Sequence, residues 1–362
     1  MTAEQQRQHD QLAFIASGAE LTIGTPADCP LPLAQLAATQ GDETYVRERF
    51  AGGLTAHVYR IKAGGRDWTL KRARERCLVQ NPNGQTSFLN EIQRRADLRL
   101  LKQDAQLGKR LGGIVDTQYA SLRHGVLLSP WIAGTAIEQW HERQLLELFD
   151  TLGALLLGGL FEWDLCPGNT LDDGRVRLFD FGYMYRFDPL RQFNSNGTAT
   201  PQFHAAERFE TRQYFGHLLS LEQRGDGEAL RALRLEKQIA LLAYQRLHRE
   251  LSGRHASAVV LDWLQGIIDT WRVALSGDLE GLYLREAWRS HNLDLHDDLS
   301  GQTCTALTLQ RIDWLQRNAR ERYADLRQLA VFGEAAPGAA KLLSEFAEAR
   351  KLAQKWQIQN AP

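Results

Sequence analysis

Cysteine is scarce in this chain: Cys29, Cys77, Cys166 and Cys304 are the four present in 362 residues, and no two stand at a paired spacing. Neither a disulfide framework nor a zinc-ligating motif can be read from them, and reduced thiols in a cytoplasm are the expectation. Long apolar runs are also missing. No stretch reaches the ~20 apolar residues of a membrane span. The closest, residues 152–161, is short and interrupted by Gly153, Gly158 and Gly159, so it reads as a buried helix. The first ten residues are polar, and the apolar patch at residues 12–16 is too short for a signal-peptide core. An excess of one charge is absent as well: 43 Lys and Arg stand against 44 Asp and Glu, for a net charge of −1. No whole-molecule field attracts nucleic acid or an anionic membrane, and neither is expected as a partner. The run Lys71-Arg72-Ala73-Arg74-Glu75-Arg76 is locally basic and reads as a solvated strand end.

What is present is ordinary for a globular protein: 43% apolar and 24% charged residues in a chain long enough for two or three lobes. Residues 1–42 read as a helical or irregular preface interrupted by Pro26, Pro30 and Pro32. The pattern then changes. Residues 45–50, 57–62 and 68–72 are short β-favouring runs separated by Gly52-Gly53 and Gly64-Gly65, which predicts an antiparallel three-stranded meander. Apolar residues recur at helical spacing over residues 87–102, and two further strands are expected at 114–119 and 126–129. A linker, Pro130-Trp131-Ile132-Ala133-Gly134, leads to a long helix over residues 144–160. From residue 209 onward the pattern is helical, with no recognisable repeat. The order predicts an α+β part followed by a helical one.

The most informative segment is Trp163-Asp164-Leu165-Cys166-Pro167-Gly168-Asn169, followed by Asp180-Phe181-Gly182. The turn Asp172-Asp173-Gly174 between Thr170-Leu171 and Val176-Arg177-Leu178 predicts a hairpin that sets Asp164 and Asp180 near one another. An acid, an amide and a second carboxylate at this spacing supply the base and the hard oxygen ligands that phosphoryl transfer from Mg-ATP requires.

With these motifs the chain resembles the protein-kinase-like superfamily, which holds eukaryotic-type Ser/Thr kinases and aminoglycoside-type small-molecule phosphotransferases; the match covers about residues 45–220. The resemblance implies a bilobal fold, a small antiparallel β-sheet lobe with one helix and a mostly helical lobe, with boundaries at residues 1–42, 43–130, 131–300 and 301–362 (preface, small lobe, large lobe, helical extension). It implies ATP and Mg²⁺ as cofactors and a hydroxyl-bearing acceptor, protein or small molecule. Ala51-Gly52-Gly53-Leu54-Thr55-Ala56-His57-Val58 is similar to the glycine-rich loop, with Gly53 and Val58 at pattern positions, alanines in place of the outer glycines, and a stiffer loop as the consequence. Lys71 would contact the α- and β-phosphates and Glu91 would hold its side chain. Val58, Thr69 and Leu171 would line an adenine slot with Ser129 at its back, Pro130 presenting a carbonyl and Ile132 an N–H to the base. Asp164 would accept or orient the acceptor hydroxyl, Asn169 would bind one magnesium, and Asp180 would chelate the metal bridging the β- and γ-phosphates.

The departures bear on the acceptor. Glu162 and Trp163 replace the family's His and Arg before the catalytic Asp, so loop phosphorylation would lack its guanidinium partner and constitutive activity is expected. Cys166 stands where protein kinases carry a lysine, and Asp-Leu-x-Pro-Gly-Asn is shared with small-molecule kinases. In the other direction, Gly197-Thr198 and Ala205-Ala206-Glu207-Arg208-Phe209 resemble the peptide platform of a protein kinase, with Thr211 in place of an anchoring Asp. A buried Glu207–Arg212 pair joining platform to helix is expected there. Ser/Thr protein phosphorylation is the first expectation; a small-molecule acceptor, a pseudokinase binding module and adenylyl transfer are the alternatives.

Overall fold

The computed structural model describes residues 1–79, 81–225, 227–333 and 337–358. The N-terminal part is an antiparallel sheet. Its strands are β1 (Thr22–Ile23), β2 (Val46–Phe50), β3 (Ala56–Ala63), β4 (Arg66–Ala73), β5 (Tyr119–Ser121) and β6 (Val126–Pro130), in the order β1-β5-β6-β4-β3-β2. The β3–β4 connection is a two-residue hairpin in which Gly64 and Gly65 both adopt positive φ, the conformation such a turn requires. Helix α1 (Ala3–Ala16) and helix α2 (Leu33–Ala38) precede the meander, and α3 (Pro82–Leu101) follows it. Asn81 caps α3 by accepting from the Gly84 N–H at 2.8 Å, with Pro82 in the first turn.

The sheet is covered on both faces. Tyr59, Ile61, Trp68, Leu70, Tyr119, Val126 and Leu128 pack with Leu36 of α2 on one face. Leu127 and Ala120 pack with Ile92 of α3 and Ile23 of β1 on the other. Strand alternation therefore sends Val58, Thr69, Lys71 and Ser129 to the α3 side, since Val58 pairs with Lys71 and Thr69 with Ser129.

The preface expected at residues 1–42 carries α1 and α2 and joins the sheet: Ile23 pairs with Ala120, and α1 lies against α3, where Gln11 Nε2 donates to Asn90 Oδ1 at 2.9 Å. A two-residue strand leaves no period-2 pattern to read. The strand expected at 114–119 is displaced to Tyr119–Ser121. Ile114 and Val115 are buried in the helical core instead, and the short helix α4 (Leu107–Arg110) precedes them.

Beyond β6 come β7 (Thr135–Ala136), α5 (Glu142–Leu157), β8 (Leu160–Glu162), β9 (Thr170–Asp172), β10 (Val176–Leu178) and β11 (Met184–Arg186). The helix expected at 144–160 stops at Leu157, because Gly159 takes φ +72° and turns the chain into β8. β9 and β10 form the expected hairpin, and β7 adds to it by pairing Ala136 with Leu171. Then follow α6 (Ala205–Phe209), a π-helical turn Glu210–Tyr214, α7 (Phe215–Glu222), α8 (Glu228–Gly253), α9 (Ala258–Ser276), α10 (Leu279–Gly301), α11 (Ala306–Glu321), α12 (Tyr323–Gln328) and α13 (Ala339–Lys355). Of the C-terminal extension expected at 301–362, residues 334–336 and 359–362 lie outside the described residues. One large core runs through this helical part. Among the described residues no helix is long and apolar enough to cross a membrane.

Candidate active site

The site is built where the sheet, α3 and the β8–β11 segment meet. Lys71, near the end of β4, is 5% exposed, and its Nζ donates to both carboxylate oxygens of Glu91 on α3 at 2.9 Å and to Asp180 Oδ2 at 2.6 Å. Burial alone would lower the Lys71 ammonium; Asp180 and then Glu91 outweigh it and hold the group above its ordinary value. Asp180 shows the converse. Burial would raise its carboxyl, but Lys71 overcomes this and keeps it below the usual carboxylate value. Glu91 is shared with Arg95 one turn on, at 2.9 Å to Nε and 2.8 Å to Nη2, and Arg95 also donates to the Phe179 carbonyl.

Asn90 was not among the residues expected at the site. It is fully buried, and its Nδ2 donates to the Gly182 carbonyl at 2.9 Å and the Met184 carbonyl at 2.7 Å, with Phe181 O at 3.4 Å. The Asp180-Phe181-Gly182 segment is therefore tied to α3 by an amide that precedes the ion-pairing Glu91. Asn90 shares its face of α3 with Thr86, Ser87 and Arg94, so no break in an apolar pattern marks it in the sequence.

Asp164 follows β8. Its backbone N–H donates to Glu162 Oε1 at 2.8 Å, and Asn169 Nδ2 donates to its carbonyl at 2.9 Å and its Oδ2 at 3.4 Å. The Asn169 amide is thereby turned so that its oxygen, unbonded among the described residues, is the atom free for a cation. Burial pushes the Glu162 carboxyl well above its ordinary value, against the hydrogen bond from Asp164. Glu162, Cys166 and Tyr183 each lie within reach of the charge of both Asp164 and Asp180.

The Glu207–Arg212 pair expected from the sequence does not form. Glu207 pairs with its neighbour Arg208 at 2.8 Å and accepts from Thr211 Oγ1 at 2.7 Å, so its carboxylate is engaged elsewhere. Arg212 Nε instead donates to Asp164 Oδ1 at 2.9 Å while its Nη1 bonds Asp294 of α10. A guanidinium thus reaches the candidate base from a segment 48 residues away.

The remaining expected residues lie on the sheet, its β2–β3 turn, the linker and β9. Gly52 is exposed in the β2–β3 turn. Gly53 allows that turn to close: a Cβ there would stand 2.1 Å from the Ala56 carbonyl oxygen. Val58 and Thr69 are half-buried, Ser129 is buried, and Pro130 is exposed at the end of β6. Phe50, paired with Val58, stacks on Trp131 with ring centroids 5.8 Å apart. Ile132 is half-buried and its N–H makes no hydrogen bond among the described residues. Leu171 sits on β9, beside the linker through the β7 pairing. A cavity of about 280 Å³ opens between the turn residue Thr55, the arginines Arg74 and Arg76, and Ser87 of α3. Ser87 Cβ would lie 3.4 Å from a Cβ on Gly182, so this cavity adjoins the Asp180 segment.

Among the described residues no group of three or more His, Cys, Asp or Glu side chains is gathered so as to hold a metal ion. Asp180 and Asn169 offer two hard oxygen donors, and magnesium commonly takes only one or two ligands from protein when phosphates and water complete its shell. The donor set suits a metal that arrives with a phosphate-bearing substrate. No protein-family model matches the chain, and no curated protein matches it.

Proposed function

We propose that the chain is a bilobal, protein-kinase-like phosphotransferase that moves the γ-phosphoryl group of ATP to a hydroxyl in a magnesium-dependent reaction. The observation that carries this reading is the Lys71 ammonium held between Glu91 and Asp180, residues from three separate elements meeting on one amine. A buried lysine clamped in this way is a preorganised cation for phosphate oxygens, and Glu91 keeps its long side chain extended after Asp180 is released.

Asp180 and Asn169 would hold magnesium, which neutralises charge developing on the phosphates. Asp164, fixed through its backbone by Glu162 and Asn169 and through its carboxylate by Arg212, orients the acceptor hydroxyl and takes its proton as the phosphoryl group leaves ADP. Burial favours the neutral form of Glu162, so no second charged carboxylate stands beside Asp164. Phe50, Val58 and Leu171 would offer apolar walls for a base, with the hydroxyl-bearing Thr69 and Ser129 beside them, and the Ile132 N–H, unpaired among the described residues, would offer the donor.

A protein hydroxyl is the first choice of acceptor, on the platform-like segment that ends in α6. A small-molecule acceptor is favoured instead by Cys166, which leaves the position of the protein-kinase lysine without a cation. The test is incubation with γ-labelled ATP and Mg²⁺ in the presence of cell extract, followed by mass spectrometry of proteins and metabolites. A transferred phosphate supports the reading and identifies the acceptor class; transfer of AMP, or magnesium-dependent ATP binding without any transfer, overturns it.

A further inference from the structure

The most unusual feature outside the site is a knot of charge in the interior of the helical part. Lys237 of α8 is completely buried, with its Nζ 2.7 Å from Glu210 Oε1, 2.7 Å from Glu286 Oε2 of α10 and 3.7 Å from Glu236 Oε2. Three carboxylates thus surround one ammonium, and Arg289 of α10 is the other cation whose charge reaches Glu210 and Glu286. Neither oxygen of Glu236 nor Glu210 Oε2 has a hydrogen-bond partner among the described residues. Ionising every carboxylate here would leave desolvated negative charge uncompensated, so the knot must hold protons whose number depends on pH.

The knot is connected to Asp164 by covalent and polar links. Glu210 opens the five-residue π-helical turn that also carries Arg212. That turn is pinned at Glu210 by Lys237, at the Thr211 carbonyl by both Nη atoms of Arg311 at 3.3 Å, and at Arg212 by Asp164 and Asp294. Glu286 and Asp294 lie on the same helix, and Arg311 Nη2 bonds Asp294 at 2.8 Å. π-helical turns are uncommon and recur at functional sites, since the widened turn has to be held open by outside contacts.

We propose that Glu210 and Lys237 are positioning residues for Asp164: their buried charge knot holds the π-helical turn whose Arg212 grips Asp164, and the protons it carries set how firmly. This rests on the reading of Asp164 as the acceptor-orienting residue. Burial pushes Glu210 up to about 7 and Glu236 well above its ordinary range, in both cases against Lys237; for Glu286, burial is outweighed by Lys237 and Arg289 and the carboxyl stays low. The other groups facing the knot are Tyr214 of the turn, Tyr244 of α8, Trp271 of α9, whose ring lies 4.9 Å from Lys237 Nζ, Arg285 of α10, and His204 before α6. Tyr214 and Tyr244 have their hydroxyl ionisation pushed upward by burial, and burial with the surrounding cations keeps His204 neutral. Loss of a proton from Glu210 strengthens its pull on Lys237 and tightens the turn, so Arg212 is held best on the alkaline side of neutrality.

The test uses the whole chain as wild type, Glu210→Gln, Glu236→Gln and the double variant, each first checked for a cooperative melt. The Nε–H resonance of Arg212, assigned through Arg212→Lys, is followed from about pH 5 to 8, and kcat and KM for Mg-ATP are measured over the same range. In the wild type the resonance moves through one step near neutrality and kcat rises roughly tenfold across it with KM unchanged, whereas both are flat in the double variant. If the double variant fails to fold, Glu236→Gln alone, which breaks no hydrogen bond, must shift the step. A wild-type resonance that does not titrate, or one that titrates identically in the variants, overturns the proposal. A titrating resonance in a protein that never turns over ATP upholds the coupling and overturns the phosphotransferase reading.

Discussion

The ammonium of Lys71 lies 2.6 Å from a carboxylate oxygen of Asp180, 109 residues away in the chain, and this contact joins the sheet to the segment that follows the β9–β10 hairpin. Asp180 has its side chain 32% exposed while Lys71 is nearly enclosed, so the pair opens on one side only. A phosphate–metal pair entering there can replace the contact charge for charge.

Lys71→Met should therefore lower ADP release from Mg-ATP by about 10²–10³-fold, the scale of removing one preorganised charge from a transition state. The fold should survive, because Glu91 keeps both bonds to Arg95. Steady-state ADP release with circular dichroism as the folding control checks this; a variant within tenfold of wild type would remove Lys71 from the mechanism.

Asp164→Asn keeps the shape of the side chain and removes its basicity and charge. ATP affinity should stay near wild type while kcat falls by about 10²–10⁴-fold. Calorimetric titration of a non-hydrolysable ATP analogue and single-turnover kinetics separate the two quantities, and a variant that loses affinity instead would assign Asp164 to nucleotide binding.

Asn90 has a structural role that can be measured without any substrate. Asn90→Ala leaves the carbonyls of Gly182 and Met184 without their donor in a fully buried place and removes one of the two acceptors of the Gln11 amide. The cost should be on the order of 2–4 kcal/mol in urea unfolding. Asn90→Asp should be worse, since a carboxylate cannot donate to the carbonyls it would face. Equal stability of both variants and wild type would mean that water replaces the amide.

These pairs differ in how visible they are before folding. Lys71, Glu91 and Asp180 stand in a chain order that a strand, a helix and a hairpin must bring together, and local patterns predict all three elements. Arg212 could not be assigned that way: its partners Asp164 and Asp294 lie 48 and 82 residues away, and the π-helical turn that carries it is announced by no side-chain period. β1 was hidden for another reason. Two residues cannot show alternation, and their partner Ala120–Ser121 is equally short. Ile114 and Val115 misled because an apolar β-branched pair satisfies a strand pattern equally well when it plugs a helical core.

Gly53→Ala tests the β2–β3 turn. The added methyl would stand 2.1 Å from a backbone oxygen, which cannot swing away as a side-chain end can. The turn must open, and with it the Arg74 Nε bond to the Gly53 carbonyl, now 2.8 Å. ATP affinity should weaken by roughly tenfold or more with little change in melting temperature, as expected for a change confined to an exposed turn. Unchanged affinity by the same calorimetric titration would show that the turn does not touch the nucleotide.

The buried knot around Lys237 makes a prediction about stability whose sign runs opposite to that of a surface ion pair. Glu210 has its carboxyl raised from the ordinary 4.5 to about 7, by burial first and against Lys237, so the folded chain holds a proton that the unfolded chain has released. That contribution is complete below about pH 4.5 and is lost as pH rises through about 7, amounting to on the order of 3 kcal/mol for a shift of this size. Glu236 shifts in the same direction. Asp180 works the other way: its lowered carboxyl stabilises the fold above about pH 4 and loses that effect only in more acidic solution. Between about pH 5 and 8 the knot therefore dominates among these groups, and wild type should melt at a lower temperature at the alkaline end. In the Glu210→Gln, Glu236→Gln double variant that slope should largely vanish. Scanning calorimetry of both proteins across this interval decides it, and parallel curves would place the protons of the knot elsewhere than on these two carboxylates.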